Sequence, residues 1–205
     1  MDLSRTDEQR MLVDVAHSFV ERTCPTSRAR LINADPEVLD HDLWGAMTSL
    51  GWAGLMVPEA YGGGASGVLE LALLCETLGR APVPSPLIVS TTLAALPIIW
   101  AASESQRARW LPRLASGEAI GTLALIEPGG RDEWDEWLIA GGAVIHGTKL
   151  LVPWASVSEL MIVATADGLF VVEPPLGSVT IQRHDDLGAD PLFSVDLRGA
   201  PAERL

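Results

Sequence analysis

Apolar positions recur at helical spacing in the first half of the chain and gather into short runs in the second. Met11, Leu12, Val15, Phe19 and Val20 follow Thr6, with Gln9 three residues after it, so a helix with a capping box is expected over about residues 6–22. Pro25 breaks the chain, and Leu39, Leu43, Met47 and Leu50 mark one face of a second helix that Gly51 ends. A third spans about Val68 to Leu78 and stops at Gly79 and the Pro82, Pro84, Pro86 spacer. The apolar stretch from Leu87 to Ala102 reads as a fourth, buried helix. A fifth opens at Ser103, with Gln106 three residues on, and ends near Ser116-Gly117.

Beyond Gly117 the period changes. Thr122-Leu123-Ala124-Leu125-Ile126, Ala143-Val144-Ile145-His146, Leu160-Met161-Ile162-Val163-Ala164, Leu169-Phe170-Val171-Val172, Val179-Thr180-Ile181 and Phe193-Ser194-Val195-Asp196-Leu197 are separated by Gly, Pro and acidic turns. Runs of this length and spacing predict strands of an antiparallel sandwich or barrel. The fold class is therefore α+β and multidomain: an all-α helical domain at 1–117 followed by an antiparallel β-barrel or sandwich domain at 118–205. No internal repeat or low-complexity segment interrupts this division.

Composition agrees with a folded protein. The 205 residues are 48% hydrophobic and 20% charged, with a net charge of −13. An acidic surface without a Lys/Arg cluster excludes nucleic acid as a natural partner. A polyanionic ligand would need local positive charge from Arg109, Arg113, Arg131, Lys149 or a partner chain, and Lys149 is the only lysine. Cys24 and Cys75 have no metal or disulfide spacing, which fits a reducing cytoplasm. The charged start Met1-Asp2-Leu3-Ser4-Arg5-Thr6-Asp7-Glu8 lacks the apolar core of a secretory signal, and the Leu87–Ala102 stretch is too short for a membrane span.

Three tempting motifs have simpler accounts. Gly62-Gly63-Gly64-Ala65-Ser66-Gly67 satisfies G-x-G-x-x-G, but it lies between helices with no strand before it, so it reads as the glycine lead-in to the third helix. Asp132, Glu133, Asp135 and Glu136, like Asp185-Asp186, fall in turns between strands and read as solvated carboxylates. His17, His41, His146 and His184 have no serine, cysteine or second histidine at a spacing that marks a site. Neither a catalytic nor a metal-binding set is identified. Trp44, Trp52, Trp100 and Trp110 fall where helices pack and are expected to fill the core.

Several segments, in order, resemble the acyl-CoA dehydrogenases. Thr6-Asp7-Glu8-Gln9-Arg10-Met11-Leu12 resembles the family's first helix, and Leu43-Trp44 with Leu50-Gly51-Trp52-Ala53-Gly54-Leu55-Met56-Val57-Pro58-Glu59-Ala60-Tyr61-Gly62-Gly63 its helix-to-loop signature. Arg109-Trp110-Leu111-Pro112-Arg113-Leu114-Ala115-Ser116-Gly117-Glu118 is similar to the hinge into the β domain. Ala124-Leu125-Ile126-Glu127-Pro128-Gly129 and Gly147-Thr148-Lys149 are similar to the two flavin-side segments.

The resemblance implies a helical domain, a β domain and a C-terminal four-helix bundle, assembled as a dimer or tetramer. In most members the bundle supplies the glutamate that takes the α-proton of an acyl-CoA thioester while flavin N5 takes the β-hydride. The sequence ends in a stretch that resembles the approach to that bundle, so a catalytic base is not expected within it.

The flavin-side positions depart from the family pattern. Ile126 stands where a hydroxyl residue usually precedes Glu-Pro, and Arg131 where a small Gly-Ser-Asp-like loop continues. Leu151 replaces the usual stacking tryptophan. Pro153 replaces Thr or Ser and has neither a hydroxyl nor an N–H to offer N5. Trp154, one place further on, is expected to point to the opposite face.

Two readings follow. The chain is a component of an FAD-dependent dehydrogenase acting on acyl-CoA, holding FAD only once assembled; or it is a non-catalytic partner, without a flavin site, in a homo- or hetero-oligomer with another acyl-CoA dehydrogenase subunit.

Overall fold

The computed structural model describes residues 4–25, 27–28, 30, 39–81, 83–129, 138, 140–174, 177–185 and 190–205. Helix α1 (Asp7–Thr23) begins with the expected reciprocal cap: the Thr6 hydroxyl accepts from the Gln9 amide, and the Gln9 side chain accepts from the Thr6 amide. Helices α2 (His41–Ser49), α3 (Val68–Leu78), α4 (Leu96–Ala101) and α5 (Glu104–Ser116) follow. The apolar stretch before α4 is a π-helical segment, Val89–Ala95, that runs directly into it.

The α1 face agrees with the expected one in part: Phe19 is buried and Leu12 and Val20 pack against the same core. Gln9, Val13, Ala16 and Phe19 are buried, while Met11 and Val15 face outward. Gln9 Nε2 donates to Glu70 of α3 at 2.8 Å, and this contact helps fix which stripe of α1 meets α3. A polar residue thus lies on the buried stripe. Trp44, Trp52 and Trp110 fill the core as expected, but Trp100 is 70% exposed. The stretch carrying Trp100 is buried on one side only, through Val89, Ala94, Ala95 and Ile98, with Ile88 and Trp100 on the open side.

The strands form two sheets. One has the order β1 (Gly121–Ala124), β3 (Leu160–Thr165), β4 (Gly168–Val172) and β7 (Glu203–Arg204). The other has the order β2 (Val144–Pro153), β6 (Leu192–Pro201) and β5 (Val179–Arg183). All pairings are antiparallel except β1 with β3, which is parallel.

All six residues of β3 are buried, and its period of two explains why. Met161 and Val163 pack with Val152, Phe193 and Val195 of the facing sheet. Leu160 and Ile162 pack with Ile98, Trp110, Leu111 and Leu114 of the helices. The β3–β4 layer is therefore the middle of a helix–sheet–sheet stack, and its run of apolar residues reflects burial on both faces.

Two close approaches hold the helices to one another and to the strands. Gly117 ends α5 in the left-handed region (φ +74°), and its carbonyl accepts from the Trp44 indole at 2.9 Å. A Cβ at Gly117 would stand 2.2 Å from Thr48 Cγ2, so conformation and space both require glycine there. The π-helical segment meets β1 where the Gly121 amide donates to Ser90 Oγ at 3.2 Å. The glycine motif at 62–67 is the lead-in to α3, as expected. A Cβ at Gly63 would stand 2.0 Å from the Val57 carbonyl oxygen, so the loop turns back on itself too closely for any side chain.

Asp40 caps α2, accepting from the Leu43 amide at 2.9 Å and pairing with the Arg28 guanidinium at 2.7 Å. Burial of its carboxyl works against the charge, but the Leu43 amide and Arg28 outweigh it and hold the pKa below the usual carboxylate range. A depressed carboxylate pKa contributes stability that is present above the unfolded value and lost as pH falls through the folded one. Asp40→Ala should therefore cost about 1–2 kcal/mol near neutral pH. In urea unfolding measured against pH, its difference from wild type should shrink below about pH 4.

Candidate functional site

Strand β2 changes partners partway along. Thr148 and Lys149 pair with Asp196 and Val195 of β6, and Val152 and Pro153 pair with Phe193 and Leu192, so Leu150-Leu151 together face Ser194. This one-residue excess is a β-bulge. Leu151 absorbs it in the left-handed region at φ +53°, a conformation unusual for a residue with a branched side chain. The bulge frees the Leu150 amide from β6, and it donates instead to the Ile126 carbonyl at 2.8 Å. Ile126 forms only this isolated bridge, so the strand expected to run to Ile126 ends at Ala124.

The bulge brings together three of the four positions singled out in the sequence. Ile126 is 43% exposed and Leu151 45%, with Leu125 beside them at 40%. Pro153 follows at the strand end, where its carbonyl accepts from the Thr122 hydroxyl at 2.5 Å. The side chains of Ile126, Leu151 and Pro153 carry no hydrogen-bonding group. Arg131, the fourth position, lies outside the described residues, as do Asp132, Glu133, Asp135, Glu136 and Asp186.

Trp154 turns away from these side chains, as expected. It lies in the left-handed region (φ +56°) at the start of a 3-10 turn, Ala155–Val157, and is 1% exposed. Its indole N–H donates to Asp190 at 3.1 Å, and its amide to the Pro191 carbonyl at 3.0 Å.

Beneath the exposed aliphatic side chains is a polar arrangement whose role the sequence did not disclose. Lys149 is completely buried, and its ammonium donates to Glu127 Oε1 at 2.6 Å and to the Leu125 carbonyl at 3.2 Å. The same carboxylate oxygen accepts from the Leu138 amide at 2.9 Å. Burial pushes the Lys149 pKa below its ordinary value, and the Glu127 carboxylate opposes the shift. Lys149 is thus removed from the groups available to a polyanionic ligand. Arg109 and Arg113, named with it, pair with Glu173 and Glu118 at the surface. The available signal was a solitary lysine in a strand and a Glu-Pro before a turn, and nothing in their spacing joins them.

The structure also joins Ser194 Oγ and His184 Nε2 at 2.8 Å, a pair ten residues apart that spacing did not mark. Among the described residues, no carboxylate bonds this imidazole. Among the described residues, no group of three His, Cys, Asp or Glu side chains is placed to hold a metal ion. Among them too, no helix is long and apolar enough to cross a membrane.

Comparison with known proteins places this geometry in a family setting. Residues 6–118 match the sequence model of the acyl-CoA dehydrogenase N-terminal domain. The chain is 29% identical to acyl-CoA dehydrogenase FadE28 of Mycobacterium tuberculosis over 183 residues, which cover 89% of this chain and 48% of that protein. It is 37% identical to acyl-CoA dehydrogenase IpdE2 of the same organism over 120 residues, covering 58% of this chain and 37% of that one. Among solved structures, the Tcur3481-Tcur3483 steroid ACAD superposes with a TM-score of 0.87 at 27% identity, covering 96% of this chain and 56% of that one. The ChsE4-ChsE5 complex from M. tuberculosis gives 0.87 at 24% identity, covering 98% and 56%. The chain thus spans about half the length of the relatives it matches.

The inward turn of Trp154 yields a direct expectation. Trp154→Ala should cost about 3–5 kcal/mol of unfolding free energy through the cavity it leaves. Trp154→Phe, losing chiefly the bond to Asp190, should cost about 1 kcal/mol. Equilibrium denaturation followed by circular dichroism checks the ranking.

Proposed function

Because the chain belongs to the acyl-CoA dehydrogenase family, we propose that it is a partner subunit of a two-component acyl-CoA dehydrogenase and holds no flavin at its own β-domain face. The observation that carries this reading is the state of the flavin-side positions. Ile126 and Leu151 are half exposed and purely aliphatic, and Pro153 has no N–H, with its carbonyl committed to Thr122. An isoalloxazine ring laid there would find no hydroxyl or proline N–H to bond its polar edge. Trp154 cannot replace the stacking side chain without leaving the core and abandoning Asp190. Among the described residues, Ile126, Leu151 and Pro153 do not supply the side-chain hydrogen bonds that would fit FAD.

A two-component assembly is supported by the names of two structural relatives, the Tcur3481-Tcur3483 steroid ACAD and the ChsE4-ChsE5 complex, each joining two differently named proteins. The former also suggests the substrate class: an acyl-CoA thioester bearing a steroid-derived group, desaturated in the assembled enzyme. The role of this chain is structural support of that enzyme.

Co-expression tests this. The chain should co-purify with a flavin-bearing acyl-CoA dehydrogenase subunit from the same genome, and a chain that stays monomeric beside every such subunit overturns the reading. The triple variant Ile126→Thr, Leu151→Trp, Pro153→Thr should gain flavin affinity in the assembly. An unchanged affinity would show that the altered side chains are not why the face lacks flavin.

A further inference from the structure

We infer that Lys149 and Glu127 are positioning residues: their buried pair holds the backbone of the flavin-side segments in a binding-competent arrangement although the side chains above have lost the means to bind. The inference rests on the proposed reading of that face. Glu127 Oε1 is the common point of three segments. It receives the Lys149 ammonium from β2, stands two residues beyond the Leu125 carbonyl that the same ammonium bonds, and accepts the Leu138 amide from where the chain returns. One carboxylate oxygen thereby ties residues 127, 138 and 149 together. On the opposite side of Lys149, the next residue, Leu150, donates its amide to Ile126. Leu125, Ile126, Leu138 and Leu150 are therefore all fixed through a single ion pair and its immediate neighbours.

The arrangement has a cost that packing alone does not explain. Removing a lysine and a glutamate from water is expensive, and well-packed apolar residues of similar volume often serve stability as well or better. An apolar pair, however, has no acceptor for the Leu138 amide and no donor for the Leu125 carbonyl. The polar pair therefore fixes backbone geometry that an apolar substitute leaves open. Stability and positioning can be separated on this difference.

The test compares Glu127→Gln, Lys149→Met and the paired replacement Lys149→Met with Glu127→Leu, by denaturant unfolding and by residue-resolved hydrogen exchange on the full chain. Each single variant should be less stable than wild type, since each leaves one buried charge unpaired. The paired variant should recover most of that stability while exchange at the Leu138 and Leu150 amides stays at least about tenfold faster than in wild type, with the β3–β4 ladder unchanged. If the paired variant recovers wild-type protection at both amides, the pair is merely structural and the inference is overturned. In the second arm the paired replacement is added to the triple variant Ile126→Thr, Leu151→Trp, Pro153→Thr, and FAD retention is measured in the assembly. The flavin gained by the triple variant should be lost when the pair is replaced. No flavin gain with the pair intact counts against the reading of the face and leaves the exchange result to decide the inference; a gain that survives replacement of the pair overturns the inference alone.

Discussion

The Lys149–Glu127 ion pair is the constraint on which the arrangement of the β-domain face depends. An ammonium with no solvent exposure is tolerated because the carboxylate at 2.6 Å and the Leu125 carbonyl take up two of its donors. Satisfying those bonds requires the 125–127 segment to run beside β2 beyond the end of β1. There Leu150 donates its amide to Ile126, and the bulge at Leu150-Leu151 shifts the register of β2 against β6 by one residue. The left-handed backbone at Leu151 follows from this geometry, and so does the outward display of Ile126 and Leu151. Below the pair, the doubly buried β3–β4 layer anchors the two sheets and the helices to one another.

Much of this fold was legible in the sequence, because its signals are local. Capping boxes at Thr6 and Ser103, glycine at the end of α5 and the change of apolar period after Gly117 each act over a few residues, and each held. The expectations that failed concern which side of an element meets a neighbour. Met11 and Val15 share the helical period of α1 with Phe19, yet they face outward, while Gln9, which bonds Glu70, lies on the buried stripe. Trp100 has the hydrophobicity of a core residue but emerges at the open side of α4. Neither outcome can be read from spacing, since both depend on residues about sixty positions away or on the direction of a helix end.

The candidate site divides the same way. Sequence identified Ile126, Leu151 and Pro153 as altered, and the structure gathers them around one bulge. It offered Lys149 as surface charge for a polyanion, and burial reverses that role. Sequence separation conceals what unites these residues: Glu127 and Lys149 are twenty-two positions apart and meet only because β2 returns beside the extension of β1. The side-chain chemistry of this face and its backbone geometry are therefore separate features. The first is written in residue identity, the second in the fold.

The central proposal is that this chain pairs with a flavin-bearing subunit and contributes no flavin site of its own. Counting flavin in the purified assembly tests it most directly, by absorbance of released FAD against the quantified amount of each subunit. The account predicts one FAD for each partner subunit and none for this chain. An FAD for every copy of both chains would contradict it.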